Sequence, residues 1–271
     1  MIAQLFPALL KEYGPQGWWP LTSMAGRRGF DARGYHLIGA PHPQGAPHPQ
    51  GAPHPQGAPH PSPRSWPRTP AQRFEIAMGA VLTQNTAWTN VEKALAALFE
   101  AGVRLPVDIL GLGSERLAGL VRSSGYHNQK ARTLGVLAGF FSASRSLHRG
   151  NPPQRDELLS LRGIGEETAD SILLYAFEQP SFVVDAYTRR LLSRVGIIGG
   201  RERYGEIQHL FHKELRTDHE LFAEYHALIV AHAKARCRTR PACDGCPVTR
   251  CRAQARGGRA PAGHRLRKAS G

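Results

Sequence analysis

Cysteine is scarce in this chain: four residues, all between Cys237 and Cys251. So tight a grouping excludes a disulfide framework spread through the fold, and in a reducing compartment it reads as a metal site. Acidic residues are also few. The 21 Asp and Glu stand against 35 Lys and Arg, leaving a net charge of +14 and a pI near 10.3. An excess of that size points to a polyanionic partner, either nucleic acid or an anionic membrane surface. Long apolar runs are missing, since no stretch approaches the ~18 residues that span a bilayer. Met1-Ile2-Ala3-Gln4-Leu5-Phe6-Pro7 does not pair a basic segment with an apolar one. No secretory leader is expected, and the cytoplasm is the expected location. Strand-like patterning is nearly absent: Ser181-Phe182-Val183-Val184 is the only good run and is too short to found a sheet.

What is present is helical periodicity in a chain of 271 residues, 41% of them hydrophobic, enough for a sizeable core. Phe74, Ala77, Ala80 and Val81 share one face, as do Val91, Ala94, Leu95, Leu98 and Phe99. Ala131, Leu134, Leu137, Ala138 and Phe141 repeat the pattern, and so do Leu221, Phe222, Tyr225, Leu228 and Ile229. From Thr168 to Phe177 the spacing of Ala169, Ile172, Leu173, Ala176 and Phe177 predicts one regular amphipathic helix. The reading is all-α. Ahead of these helices, Gly14-Pro15-Gln16-Gly17-Trp18-Trp19-Pro20 places two adjacent Trp that need cover, so residues 1–39 are expected to pack on the body. Residues 40–70 carry three copies of Ala-Pro-His-Pro-Gln-Gly, a partial fourth, and eleven of the 21 Pro. Proline at this density forbids helix and predicts a polyproline-like or disordered linker. Its His42, His48, His54 and His60 are read as products of repeat slippage in preference to a metal site. Residues 253–271 form a basic, Gly- and Ala-rich tail without acids, expected to be disordered.

Three segments carry chemistry. Leu161-Arg162-Gly163-Ile164-Gly165 joins two helical patterns through a tight turn. Ile164 would be buried there, and the free backbone N–H groups would face outward to meet a phosphate oxygen. Such donors hold DNA without reading its sequence, although a plain helix connector has the same composition. Next, Phe182-Val183-Val184 delivers Asp185 to the start of a helix. Asp is a favoured N-cap, and a fixed carboxylate can also steady a sugar cation and orient water. Last, Cys237, Cys243, Cys246 and Cys251 can wrap one compact centre, zinc or iron–sulfur, and their spacing alone leaves both open.

Together these segments resemble the endonuclease III-like helix-hairpin-helix DNA glycosylases, from about Arg73 to Cys251 and with the motifs in that family's order. The resemblance implies a two-domain helical fold. A six-helix barrel over 71–180 would contain the hairpin, and a helical iron–sulfur domain over 181–252 would be covered by residues 1–39. It implies that Gln84, in Leu82-Thr83-Gln84-Asn85-Thr86, fills the gap left by an extruded base. Leu161, Gly163, Ile164, Gly165 and Thr168 would touch DNA, Asp185 would be the catalyst, and the four Cys would hold a [4Fe-4S] cluster. The implied partner is double-stranded DNA with a damaged base, bound by a nucleoid-associated monomer and not by a membrane protein. Where lyase members carry Lys, this chain has Glu167, which cannot form a Schiff base. Hydrolysis without efficient strand cleavage is therefore expected. The N-terminal Trp-Trp segment, Thr-Gln-Asn-Thr-Ala-Trp and Val-Val-Asp-Ala-Tyr look nearest to the branch that removes alkylated purines such as 3-methyladenine. Oxidised pyrimidines come second. Adenine opposite oxidised guanine comes third, because no second recognition domain follows the cysteines. A catalytically silent DNA-binding homologue and a zinc-binding nucleic-acid module are the non-enzyme alternatives.

Overall fold

The computed structural model describes residues 1–27, 30–35, 69–144, 146–148 and 151–252. The hexapeptide repeat and the basic tail lie outside the described residues. Among the described residues the fold is helical, with no β-strand. The helices are α1 (Ile2–Tyr13), α2 (Pro70–Leu82), α3 (Trp88–Glu100), α4 (Pro106–Leu110), α5 (Ser114–Leu120), α6 (His127–Ser144), α7 (Arg155–Leu159), α8 (Glu166–Ser171), α9 (Ala186–Val195), α10 (Tyr204–Glu214) and α11 (His219–Ala235). No described helix is long and apolar enough to cross a membrane.

Helix α2 is the centre of the molecule. Thr69 caps it: its hydroxyl accepts from Gln72 N at 3.2 Å, and the Gln72 side chain accepts from Thr69 N at 3.1 Å. Every residue from Gln72 to Leu82 is buried, so the single stripe read from the sequence is in fact an enclosed helix. One apolar cluster runs from Ile2 and Leu9 of α1 through Phe74 and Val81 of α2 to Phe222 and Leu228 of α11.

The chain's start is tied to its far end. Helix α1 packs against α10 and α11. The Met1 amine meets Glu214 Oε2 at 2.8 Å, and the Tyr225 hydroxyl donates to Ile2 O at 2.7 Å. The segment after α1 is then pinned twice. Gln16 N donates to Glu224 Oε1 at 2.7 Å, and Ser23 donates to Glu75 through its N at 3.1 Å and also through its hydroxyl. Between these two anchors lie Trp18 and Trp19.

Residues 181–184 are extended but pair with no strand. Side chains of α10 satisfy their backbone instead. Phe182 N donates to His212 Nε2 at 3.2 Å, Gln208 Nε2 donates to Phe182 O at 2.8 Å, and Val184 N donates to Tyr204 Oη at 3.2 Å. This is why an apolar, strand-like tetrapeptide forms no sheet.

Candidate active site

Asp185 sits where that extended segment turns into α9. Its Oδ1 accepts from Thr188 N at 2.7 Å, the capping bond expected of an Asp at this position. Its Oδ2 faces His226 Nε2 across 3.6 Å, and the carboxylate is 12% exposed. Desolvation pulls its pKa up, yet His226 and the Thr188 amide together outweigh that and hold it below the usual Asp value. The carboxylate is thus ionised while nearly enclosed. Its delivery is stiffened from below by Asp170, which is fully buried. Asp170 accepts two bonds from Arg155, at 2.8 and 3.0 Å, one from Ser181 Oγ at 2.6 Å and one from Gln208 at 3.0 Å.

His226, which faces Asp185, belongs to a cluster of aromatic rings. Helix α8 does not continue regularly, as the sequence pattern predicted; it widens into a π segment over Ile172–Ala176. A widened turn of this kind is frequent at functional sites. This one carries Tyr175, whose ring lies 4.9 Å from Trp19 and 6.0 Å from His226. Trp19 also meets Trp88 edge-on at 5.3 Å, and Trp18 meets His226 edge-on at 5.7 Å. The buried indole N–H groups of Trp19 and Trp88 have no partner.

Glu167 projects from the first turn of α8 with solvent access. Desolvation and then the neighbouring Asp185 charge push its pKa up, while His226 and Arg189 oppose them. Lys234 of α11 also shares the field of Asp185, and its pKa is lowered, chiefly by desolvation.

The hairpin adjoins this site. Gly163 has φ of +90°, and a Cβ there would lie 2.2 Å from Thr133 Oγ1, so both conformation and space demand glycine. Gly165 differs: its φ is −99° and it caps α8 without a side chain. Ile164 is 6% exposed, while Leu161 is half-buried and Arg162 exposed at the tip. Gln84, just beyond α2, donates from Nε2 to Gly163 O at 3.1 Å and to Thr168 Oγ1 at 2.9 Å. Three residues that the sequence nominated for DNA contact therefore meet, although Thr168 itself is buried.

Cys237 is buried, and Cys243, Cys246 and Cys251 are half-buried. Cys246 N donates to Cys243 O at 3.1 Å, closing the turn between them. Desolvation raises the Cys246 thiol pKa, and each of the other three cysteines raises it further, so Cys246 lies within electrostatic reach of all three. Arg194 Nη1 approaches Cys237 Sγ at 3.1 Å, as a donor to thiolate sulfur would. Among the described residues no three His, Cys, Asp or Glu are gathered tightly enough to hold a single ion. The loop's donors are all thiols, the set that a four-iron cluster takes.

Sequence reading reached Asp185, Glu167, Gln84 and the cysteines, but not His226 or Tyr175. Their only sequence signal is a place on helices with apolar spacing, which assigns them to the core.

Residues 78–217 match the family described as HhH-GPD superfamily base excision DNA repair protein. A DNA repair glycosylase named from Methanocaldococcus jannaschii is 43% identical over 255 residues, covering 92% of this chain and 94% of that protein. Endonuclease III of Sulfolobus acidocaldarius is 29% identical over 178 residues, 65% of this chain and 79% of its own. Among solved structures, the H. pylori 3-methyladenine DNA glycosylase MagIII bound to 1,N6-ethenoadenine is 33% identical. The likeness covers 62% of this chain and 87% of that one, with a TM-score of 0.56. A non-covalent endonuclease III–DNA complex is 26% identical, covers 68% and 85%, and has a TM-score of 0.61.

Proposed function

The chain belongs to the HhH-GPD superfamily of base excision DNA repair proteins, and from that premise we propose that it flips alkylated purines out of duplex DNA and hydrolyses their N-glycosidic bond. The observation that carries this reading is the nearly enclosed Asp185 carboxylate facing His226, against which Trp18 and Tyr175 pack.

A purine alkylated on a ring nitrogen bears a fixed positive charge. Electron-rich faces of Trp18, Trp19, Trp88 and Tyr175 would favour such a base by cation–π attraction. As the glycosidic bond breaks, positive charge moves onto the sugar. Asp185, fixed by Thr188, counters that charge and orients the attacking water. Gly163, Ile164 and Gly165, with Leu161 and Thr168 beside them, form the phosphate clamp, and Gln84 is held at the clamp's edge ready to enter the vacated stack. Helices α2–α8 make the DNA-gripping barrel in this reading. Helix α1, helices α9–α11 and the cysteine loop make the second domain. Cys237, Cys243, Cys246 and Cys251 would hold a [4Fe-4S] cluster, which when bound supplies a redox-capable crosslink that fixes the loop.

Glu167 supplies no amine, so hydrolysis without strand cleavage follows. Lys234 favours the second reading, a glycosylase with lyase activity, because it is an amine of lowered pKa within the field of Asp185.

One experiment tests both. Duplexes each carrying a single lesion, alkylated purine or oxidised pyrimidine, are scored for base release and for strand cleavage without alkali, with borohydride present in a parallel set. Release of alkylated purine, its loss in Asp185→Asn and the absence of a borohydride adduct are expected. A trapped adduct that vanishes in Lys234→Ala would replace the first reading with the second. Full activity in Asp185→Asn would end both.

A further inference from the structure

We infer that His226 is a positioning residue for the cleavage: wedged between the Tyr175 hydroxyl and Asp185, it holds the carboxylate charged and aimed while leaving Oδ2 free for the sugar. The inference rests on Asp185 being the catalytic carboxylate, as proposed above.

His226 is 5% exposed, and its two ring nitrogens have different neighbours. Nδ1 lies 2.7 Å from Tyr175 Oη. Nε2 has no hydrogen-bond partner, although it is buried, and points at Asp185 Oδ2 from 3.6 Å. A buried nitrogen left this way costs stability unless it serves a purpose. The 3.6 Å separation is the informative quantity. It lets the imidazole act on the carboxylate through space, yet it is too long to occupy an oxygen lone pair. Asp185 thus divides its duties: Oδ1 is spent on the helix cap, and Oδ2 remains available beside the pocket.

The tautomer follows from the same contacts. When Tyr175 donates its hydroxyl to Nδ1, the ring proton sits on Nε2 and faces Asp185. Tyr175 has a second acceptor, Ala223 O, at 3.3 Å.

Other charges near the pair are accounted for. Helix α8 contributes Glu167 and its π extension Tyr175, α9 contributes Arg189, and α11 contributes Glu224 and Lys234. Residues 14–24, which bring Trp18, carry no charge. Asp185 pushes the Glu167 pKa up, and His226 pulls it down.

The readout is the acid limb of the pH–rate profile. With a 3-methyladenine duplex the leaving base is already cationic, so the limb reports protonation of the enzyme and not of the base. In His226→Phe the limb is expected to move to higher pH by about one unit or more, with a smaller change in rate on the alkaline plateau. His226→Gln, which returns a neutral donor, should recover part of the shift. Tyr175→Phe, which removes the hydroxyl that sets the tautomer, should move the limb the same way by less. Thermal melting of each variant shows which fold, and Tyr175→Phe decides if His226→Phe does not. With Asp185→Asn inactive, an acid limb that coincides with wild type in the folded variants overturns the role of His226 alone. Activity retained in Asp185→Asn overturns the catalytic reading and this inference together.

Discussion

Glu75 lies inside α2 with 2% of its surface exposed, bound to the backbone N and hydroxyl of Ser23. Desolvation dominates its environment and pushes its pKa up to about 7, against the lowering effect of the Ser23 bonds. A carboxyl whose pKa is raised on folding stabilises the protein fully below its unfolded pKa and loses that contribution as pH rises through the folded value. Stability from Glu75 is therefore present at acid pH and is lost toward neutrality. Glu75→Gln keeps the shape, accepts from Ser23 N and donates to Ser23 Oγ, but cannot ionise. Its melting temperature should gain on wild type as pH is raised from about 5 to about 8. A constant difference across that range would show that Glu75 does not titrate there. At this scale the sequence was informative only where a residue type had one demanding job. Asp185 and Gln84 could be nominated because their neighbours in the chain formed motifs. His226 and Tyr175 could not, because their partners arrive from 41 and 51 positions away and helical spacing says nothing about which side chains meet across an interface.

Hairpin geometry separates two glycines that look equivalent in the sequence. Gly163 occupies the left-handed region against Thr133, whereas Gly165 has ordinary extended dihedrals and nothing within 4 Å of a virtual Cβ. Gly163→Ala is expected to destabilise the fold by about 1–3 kcal/mol and to weaken DNA binding, since the turn must shift. Gly165→Ala, at a helix cap, should cost no more than about 1 kcal/mol. Chemical denaturation and salt-dependent DNA titrations on the pair check this, and equal losses at both positions would contradict the assignment. Element by element, the helices around α2, α3, α6 and α11 were legible from apolar spacing. The π segment was not, because one extra residue in a turn leaves the local composition unchanged and is selected by packing of Tyr175 against Trp19 and His226.

Across the whole molecule, the +14 charge and the placement of Gln84 against the hairpin agree on a surface for a polyanion. Binding should weaken steeply as salt rises, in the way that phosphate contacts release counterions. Residues 1–39 were expected to pack on the body; among the described residues, α1 contacts α10 and α11. That Trp18 and Trp19 of the next segment would meet His226, Tyr175 and Trp88 was not legible, because those partners are set by the helices the segment reaches. A protease site placed within residues 40–68 tests how the two parts cohere. The nicked protein should co-elute as one species and keep releasing base, whereas departure of the small fragment with loss of activity would mean that the anchors do not suffice.

The stretch carrying Trp18 and Trp19 is tethered on either side, to Glu224 of α11 and to Glu75 of α2. Two carboxylates from distant helices thus fix where the paired indoles lie, so releasing either tether would displace the rings without altering any of them.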